Sequence, residues 1–250
     1  MKIRWIIGKK DINTAIRIID RNKNAEFVKA RINKNIKNRN KLKFNKAYFW
    51  QVMLLCLFTT QQKSSPQSPV NQFFKKGTFP LGLETCAKHQ NSLDAFIEEK
   101  ITKYGGIRRA PSIGREAFKN YLWLSNGGYV EVQKIYKDLI ALNQNATSYD
   151  CIIKEREIAN FISSRLLGFG PKQSRNMCQE LGLFRYEIPI DSRIAKWFNS
   201  NGFPFKISPT ALADHNYYEF VMNGIQQLCE ACQILPCVLD AAIFSSYDQD

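Results

Sequence analysis

Leu166-Leu167-Gly168-Phe169-Gly170-Pro171-Lys172-Gln173-Ser174-Arg175 decides how this 250-residue chain is read. Ahead of it, Ile158, Phe161, Ile162 and Leu166 share one face of a helix expected over 151–167. That helix ends at Gly168, and a second begins at Pro171, whose ring pre-sets the first helical turn and whose missing N–H is not needed there. The glycines allow backbone angles that a β-carbon forbids. Two helices joined by so short a link turn the glycine N–H groups and the second helix's N-terminus toward one surface, which suits a phosphate. An ordinary αα-corner without a ligand carries the same glycines, so the hairpin alone does not separate the two.

The sequence downstream does. The second helix runs to Leu181 and stops at Gly182. Ile188-Pro189-Ile190-Asp191-Ser192-Arg193 follows, then apolar Ile194, Trp197 and Phe198. Asp191 sits where a helix N-cap belongs. Gly168-Phe169-Gly170-Pro171-Lys172 and Ile188-Pro189-Ile190-Asp191, 19 residues apart from Lys172 to Asp191, together resemble the helix-hairpin-helix (HhH-GPD) DNA glycosylase superfamily and, within it, the 8-oxoguanine DNA glycosylase/AP lyases. Leu57-Phe58-Thr59-Thr60-Gln61-Gln62 is similar to the family's early helix, whose polar end enters the duplex. Asp240-Ala241-Ala242-Ile243-Phe244-Ser245 is similar to its last helix.

The resemblance implies an all-α, two-lobed helical bundle with the hairpin at about 155–181 and a glycosylase core over 47–250. It implies Lys172 as the amine that forms a Schiff base and Asp191 as the carboxylate beside the sugar. Gly168, Gly170, Gln173, Ser174 and Arg193 would contact DNA, and Gln61 or Gln62 would fill the hole left by the extruded base. Asp240 and Phe244 would form the base pocket. The chemistry fits these residue types. Cleaving an N-glycosidic bond builds positive charge on the sugar, which a carboxylate stabilises. A neutral amine can then attack the anomeric carbon, and elimination of the 3′ phosphate can follow. The chain departs from the family at three positions. Leu167 stands where proline is common in the hairpin, Arg193 where histidine is usual, and Asp240 where glutamine often meets the lesion. The implied activity is base excision of an oxidised purine, 8-oxoguanine favoured, with a β-lyase step. The alternatives are the same fold acting on an oxidised pyrimidine or another modified base, and a non-catalytic hairpin module that only holds DNA. The partner is double-stranded DNA containing a damaged base, the enzyme is expected to be a monomer, and no cofactor is required.

Composition agrees with a folded, nucleic-acid-binding chain. Hydrophobic residues make up 44% and charged residues 23%, as in globular domains. The net charge of +14 is uneven, because residues 1–46 hold 15 Lys/Arg against 3 Asp/Glu. This segment is read as a basic, partly helical N-terminal extension with a polyanion as partner; a solubilising tail or a Lys/Asn compositional bias explains the same counts. Within it, Asp11 is expected to cap a helix bearing Ile12, Ala15, Ile16 and Ile19, and Phe27, Val28, Ile32 and Ile36 to form a weaker one. Ala47–Phe58 reads as a helix buried on most sides and too short to span a bilayer. Residues 61–72 read as a loop. Further helices are expected after Ser92, over 112–124 and 129–142, and from Ser208-Pro209 and Leu235-Pro236. Met1–Lys10 lacks the apolar core of a secretory leader. Seven cysteines, an odd number in a long chain, argue against a disulfide scaffold and for a reducing compartment, cytoplasmic (nucleoid-associated in a bacterium) or nuclear. Cys229, Cys232 and Cys237 lack the fourth thiolate of an iron–sulfur cluster, since Met222 stands where it is expected, so no cluster and no metal are expected. For zinc, three cysteines leave the tetrahedron open, although His215 could complete it.

Overall fold

The computed structural model describes residues 4–62, 65, 67–75, 79–142 and 147–247. Among the described residues the chain is all-helical, with thirteen α-helices and no strand. They are α1 (Lys9–Asn22), α2 (Glu26–Ile32), α3 (Lys46–Phe58), α4 (Pro69–Lys75), α5 (Leu83–Lys88), α6 (Leu93–Tyr104), α7 (Ala110–Trp123), α8 (Tyr129–Leu142), α9 (Ser148–Arg165), α10 (Pro171–Glu180), α11 (Ser192–Ser200), α12 (His215–Ala231) and α13 (Pro236–Tyr247). No single helix is long and apolar enough to cross a membrane.

The helices fall into two compact units. The first comprises Met1–Leu42, Leu139–Ala159 and Gly170–Asp250, and the second Lys43–Asp138 and Asn160–Phe169. In the first unit α1 packs on α12 and α13, α2 on α13, and α11 on α13. Its core gathers Ile188, Ile190, Ile194, Trp197 and Phe198 against Val221, Ile225, Leu239 and Ile243. The basic N-terminal segment is part of this body. Ala15 is fully buried, with Ile18 and Ile19 against the same core, and Val28 packs on Ala241 and Ala242. Most of its lysines and arginines, Lys10, Arg17, Arg21 and Lys29 among them, remain exposed.

In the second unit α3 is the buried helix that its composition predicts. Trp50, Met53, Leu54, Cys56 and Phe58 are wholly buried, and Trp50 Nε1 donates to Leu81 O at 2.9 Å. Helices α6 and α7 pack closely at Gly114, where a β-carbon would lie 2.5 Å from Asp94 O.

Several local expectations are corrected. Asp11 does not cap α1; Gly8 does, and Asp11 in the first turn reaches back to accept from Gly8 N–H at 2.9 Å. Ile16, expected on the buried face of α1, is 40% exposed because the buried stripe runs through Ala15, Ile18 and Ile19. The weaker second helix breaks into a π-turn over Asn33–Lys37. No α-helix starts at Ser208-Pro209. A 3-10 turn over Ala211–Ala213 intervenes, and Asp214 caps α12 by accepting from Tyr217 N–H. The stretch read as a loop already begins α4 at Pro69.

Candidate functional site

The hairpin is built from both sides of its glycines. On the α9 side, Asn120 clasps the exposed Leu167, donating to its carbonyl at 3.0 Å and accepting from its N–H at 2.7 Å. Ser163 Oγ donates to Phe169 O at 2.9 Å. Gly168 has φ +86°, and a β-carbon there would lie 2.7 Å from both Leu57 and Glu116, so backbone and packing both demand glycine. Gly170 differs. Its φ of −93° is available to any residue, and nothing lies within 4 Å of where its β-carbon would be. The space before the N-cap of α10 is open, which suits the approach of an anion to a helix N-terminus.

Lys172 is the second residue of α10 and is partly buried. Its neighbour Ser174 does not serve DNA as expected. The side chain is fully buried and donates to Pro171 O at 3.0 Å, and its N–H closes on Gly170 O. A hydroxyl in the first turn has satisfied itself inside its own helix. Gln173 is 6% exposed, and its carboxamide oxygen lies 3.4 Å from Asn176 Nδ2, so it too turns inward.

Asp191 is the N-cap of α11. Oδ1 accepts from Arg193 N–H at 2.9 Å and Ile194 N–H at 3.0 Å. Oδ2 is held by the Arg193 guanidinium, Nε at 3.0 Å and Nη2 at 2.9 Å. The carboxyl group is thus fixed as a hydrogen-bond acceptor, one oxygen by the helix N-terminus and the other by two nitrogens of the Arg193 guanidinium.

One buried network positions the segments that carry both residues. Arg175, on α10, donates to Pro171 O at 3.0 Å and to Glu187 Oε2 at 2.6 Å, and lies 4.4 Å over the Tyr218 ring. Glu187 Oε1 accepts from Arg156 and from Gln226. Tyr218 donates to Ile188 O at 2.9 Å and accepts from Ile190 N–H at 2.6 Å, immediately before Asp191. Burial pushes the Tyr218 phenol well up, so it stays a neutral donor. Upstream, Glu155 accepts from the N–H groups of Arg185, Tyr186 and Glu187 and lies 3.5 Å from Arg39. Burial pushes the Glu155 carboxyl up and lowers Arg39 to about 10.

The N-terminal segment reaches the same place. Arg31 donates to Gln179 O at 3.1 Å and to Glu180 at 3.0 Å. Asn35 donates to Gln179 O and to Phe184 O, each at 2.9 Å. Carbonyls of the last helical turn have no partner within the helix, and here the N-terminal segment supplies donors. None of Arg31, Asn35, Arg39, Arg175, Glu187 or Tyr218 is legible as a site residue in the sequence. The one available signal is the spacing of four through Arg31, Asn35 and Arg39, a buried polar stripe that reads as a solvated face.

On α13, Asp240 is 5% exposed, not on a solvent face. Its carboxyl is pushed up to about 7, chiefly by burial; Asp191 adds to this, while Arg31, the Gln179 carboxamide and Arg193 pull it down. Phe244, half-buried, is expected to stack on an extruded base. In the structure its ring is already occupied. Phe27 stacks on it at 4.6 Å between centroids, and the Arg193 guanidinium lies 3.7 Å over its centre. Lys172, Asp191, Arg193, Asp240 and Phe244 all belong to the first unit.

Gln61 and Gln62 belong to the second unit and differ from each other. Gln62 is committed inside the fold, donating to Phe58 O and accepting from Arg108 N–H at 2.9 Å. Gln61 is exposed and left-handed, with φ 60°, a conformation rare for residues other than glycine. Burial raises the thiols of Cys229, Cys232 and Cys237, Cys237 to about 12. No group of three or more His, Cys, Asp or Glu among the described residues is arranged to hold a metal.

No protein-family model matches the chain, and no curated protein matches its sequence. The fold has a solved counterpart. The crystal structure of the 8-oxoguanine DNA glycosylase of Methanocaldococcus jannaschii superposes on it with a TM-score of 0.58, covering 96% of this chain and 97% of that one at 17% sequence identity. The chain is therefore similar in fold to this helical glycosylase across nearly its whole length.

Proposed function

We propose that the protein is a base-excision DNA glycosylase with an associated β-lyase step, acting on an oxidised purine, 8-oxoguanine by preference, in double-stranded DNA, as a monomer. One observation carries this reading. Lys172 in the first turn of α10 and Asp191 at the cap of α11 are held by the same buried Arg175–Glu187–Tyr218 lattice, an arrangement that a hairpin serving only to hold DNA does not need.

The target base is extruded from the duplex, as any enzyme working on a stacked base requires. Arg193 stands in its way, covering Phe244 and occupying Asp191 Oδ2 at once. A swing of Arg193 onto a backbone phosphate exposes the stacking ring and frees one carboxylate oxygen in a single motion. Asp191 then stabilises the cationic sugar as the glycosidic bond breaks, and the electron pair leaves with the base. The Lys172 amine, once neutral, attacks the anomeric carbon; a proton of the new ammonium passes to the ring oxygen as the C1′–O4′ bond breaks, which opens the sugar and leaves an iminium. Loss of a 2′ proton with departure of the 3′ phosphate completes the lyase step. Gln61, the exposed member of its pair, fills the vacated stack. Asp240 accepts hydrogen bonds from the N1–H and exocyclic amine that a guanine-type edge offers.

The test is borohydride trapping on duplexes that each carry one lesion. A covalent complex is expected on 8-oxoguanine DNA, to be abolished in Lys172→Gln with lesion binding retained. Undiminished trapping would move the amine elsewhere, for instance to Lys196. Asp191→Asn is expected to slow single-turnover excision by about 2.7–4 kcal/mol or more in barrier height. A loss of only a few-fold would reduce Asp191 to a cap. Trapping on an oxidised pyrimidine in place of 8-oxoguanine would keep the chemistry and overturn the substrate.

A further inference from the structure

The Phe244 ring is covered by two neighbours. Phe27 of α2 stacks on it at 4.6 Å between centroids with the planes 28° apart, and the Arg193 guanidinium of α11 lies 3.7 Å from the ring centre. One face has no room for both, so they cover opposite faces. The two neighbours are not held alike. Phe27 packs on Val28, Ala241 and Ala242, and the Arg31 guanidinium lies over its ring, 5.1 Å from the centre. Arg31 is itself 6% exposed and fixed by bonds to Gln179 O at 3.1 Å and Glu180 Oε1 at 3.0 Å. The Arg193 side chain is 29% exposed, and it is tied to Asp191 Oδ2. The Phe27 face is thus closed from within the fold, and the Arg193 face is the one open to exchange.

We propose that Phe27 is a positioning residue for the extruded base: it closes one face of Phe244 and holds that ring flat, so that the base stacks on the other face, in the place the Arg193 guanidinium fills. The inference rests on the pocket reading of Phe244 above and adds which face the base takes and what fixes it. A flat guanidinium and a flat base make the same demand on the ring, the cation through its charge and the base through its π-surface. A ring free to turn would offer the base an edge as readily as a face, and would lose side-chain entropy each time a base bound. Backed by Phe27, the ring is set before the base arrives. The basic N-terminal segment thereby reaches the site through an aromatic side chain and not through its charge. Packing alone needs only the volume of Phe27, whereas positioning needs its flat face, and this separates the two roles.

The experiment compares Phe27→Ala, Phe27→Leu and Phe27→Tyr in the full-length protein. Single-turnover excision of 8-oxoguanine is followed over a range of enzyme concentrations, beside thermal melts and the affinity for undamaged duplex. Phe27→Ala and Phe27→Leu should lower the limiting rate about three- to ten-fold, as expected for loss of one aromatic pair, with affinity for undamaged duplex unchanged. Phe27→Tyr keeps the flat face and should stay near wild type. A Phe27→Leu variant as active as Phe27→Tyr overturns the proposal, and so does a loss that merely follows the melting temperature. Should Phe27→Ala not fold, the comparison of Phe27→Leu with Phe27→Tyr decides alone. If the wild-type protein excises no 8-oxoguanine, the pocket reading fails, and proton NMR of the free protein still tests the hold on the ring. Protons over a ring centre are shifted upfield, and the bonds to Asp191 keep Arg193 in place in every variant. The Arg193 Nε–H should therefore resonate upfield in wild type and Phe27→Tyr and move back in Phe27→Leu. An upfield shift retained in Phe27→Leu overturns the proposal.

Discussion

The two units are held together by different physics. In the first, Arg31, Arg39, Glu155, Arg175, Glu187 and Asp240 are all buried. In the second, the buried polar side chains among the described residues are Ser68 and Asn120, neither of them charged, around an interior of Trp50, Met53, Leu54, Phe58, Phe73 and Ile97. Apolar packing is non-directional and tolerates swaps that conserve volume. Buried ion pairs contribute little net stability, but their loss by halves is severe. The first unit thus accepts a costly interior whose reward is direction. Arg175 ties the start of α10 to the loop before α11, so Lys172 and Asp191 are presented from one rigid lattice.

The largest test of this contrast is truncation. Deleting residues 1–40 removes the donors to Gln179 O and Phe184 O and the partner of Glu155. The expected outcome is loss of cooperative folding in the first unit, read by hydrogen exchange, with protection in α3 and α6 retained. A soluble, folded truncation whose only change is a flatter salt dependence of DNA binding would return the segment to the role of a basic arm.

Next comes a matched pair of substitutions. Glu187→Ala leaves the buried Arg175 without its carboxylate and should cost about 3–5 kcal/mol. Glu187→Gln should also lose most of the activity, because the lattice loses its charge. In the second unit Met53→Ala should cost about 2–5 kcal/mol, whereas Met53→Leu should cost under about 1.5 kcal/mol. Denaturant melts of the four variants check whether one unit is sensitive to charge and the other to volume.

The third test uses pH. Asp240 is raised in the fold from 3.8 to about 7, so between these values the folded protein binds the extra proton. Stability contributed by the protonated form is therefore full below about pH 4 and declines as pH rises toward 7, by as much as about 4 kcal/mol. Asp240→Asn should flatten this slope, measured by melts across that window. The smallest effect expected is Gln62→Ala, which loses the bonds to Arg108 N–H and Phe58 O. It should cost about 1 kcal/mol and free the loop bearing Gln61, weakening lesion binding a few-fold.

What the sequence discloses follows how local each signal is. The hairpin, the cap at Asp191 and buried α3 are readable because glycine, proline, capping and apolar patterns act within a few residues. The Gln61/Gln62 pair is readable only as a pair, since the bond from Arg108 that separates them spans 46 positions. The stripe of Arg31, Asn35 and Arg39 is invisible, because its partners lie more than 100 residues away and its surroundings are strongly basic. Ser174 misleads for the opposite reason, since its bond is too local to be distinguished from exposure.

The first unit is discontinuous, assembled from the two ends of the chain and a stretch in its middle, and this has a consequence in time. The second unit needs nothing beyond Phe169. Helices α1 and α2 need α13, about two hundred residues later, which at ~5–20 residues per second is roughly ten to forty seconds of synthesis. Through that interval the nascent chain carries an unsatisfied cationic segment with half of an apolar core, while a finished neighbour forms downstream. Helix α13, which carries Asp240 and Phe244, closes the unit, so its core forms only after that helix has been made.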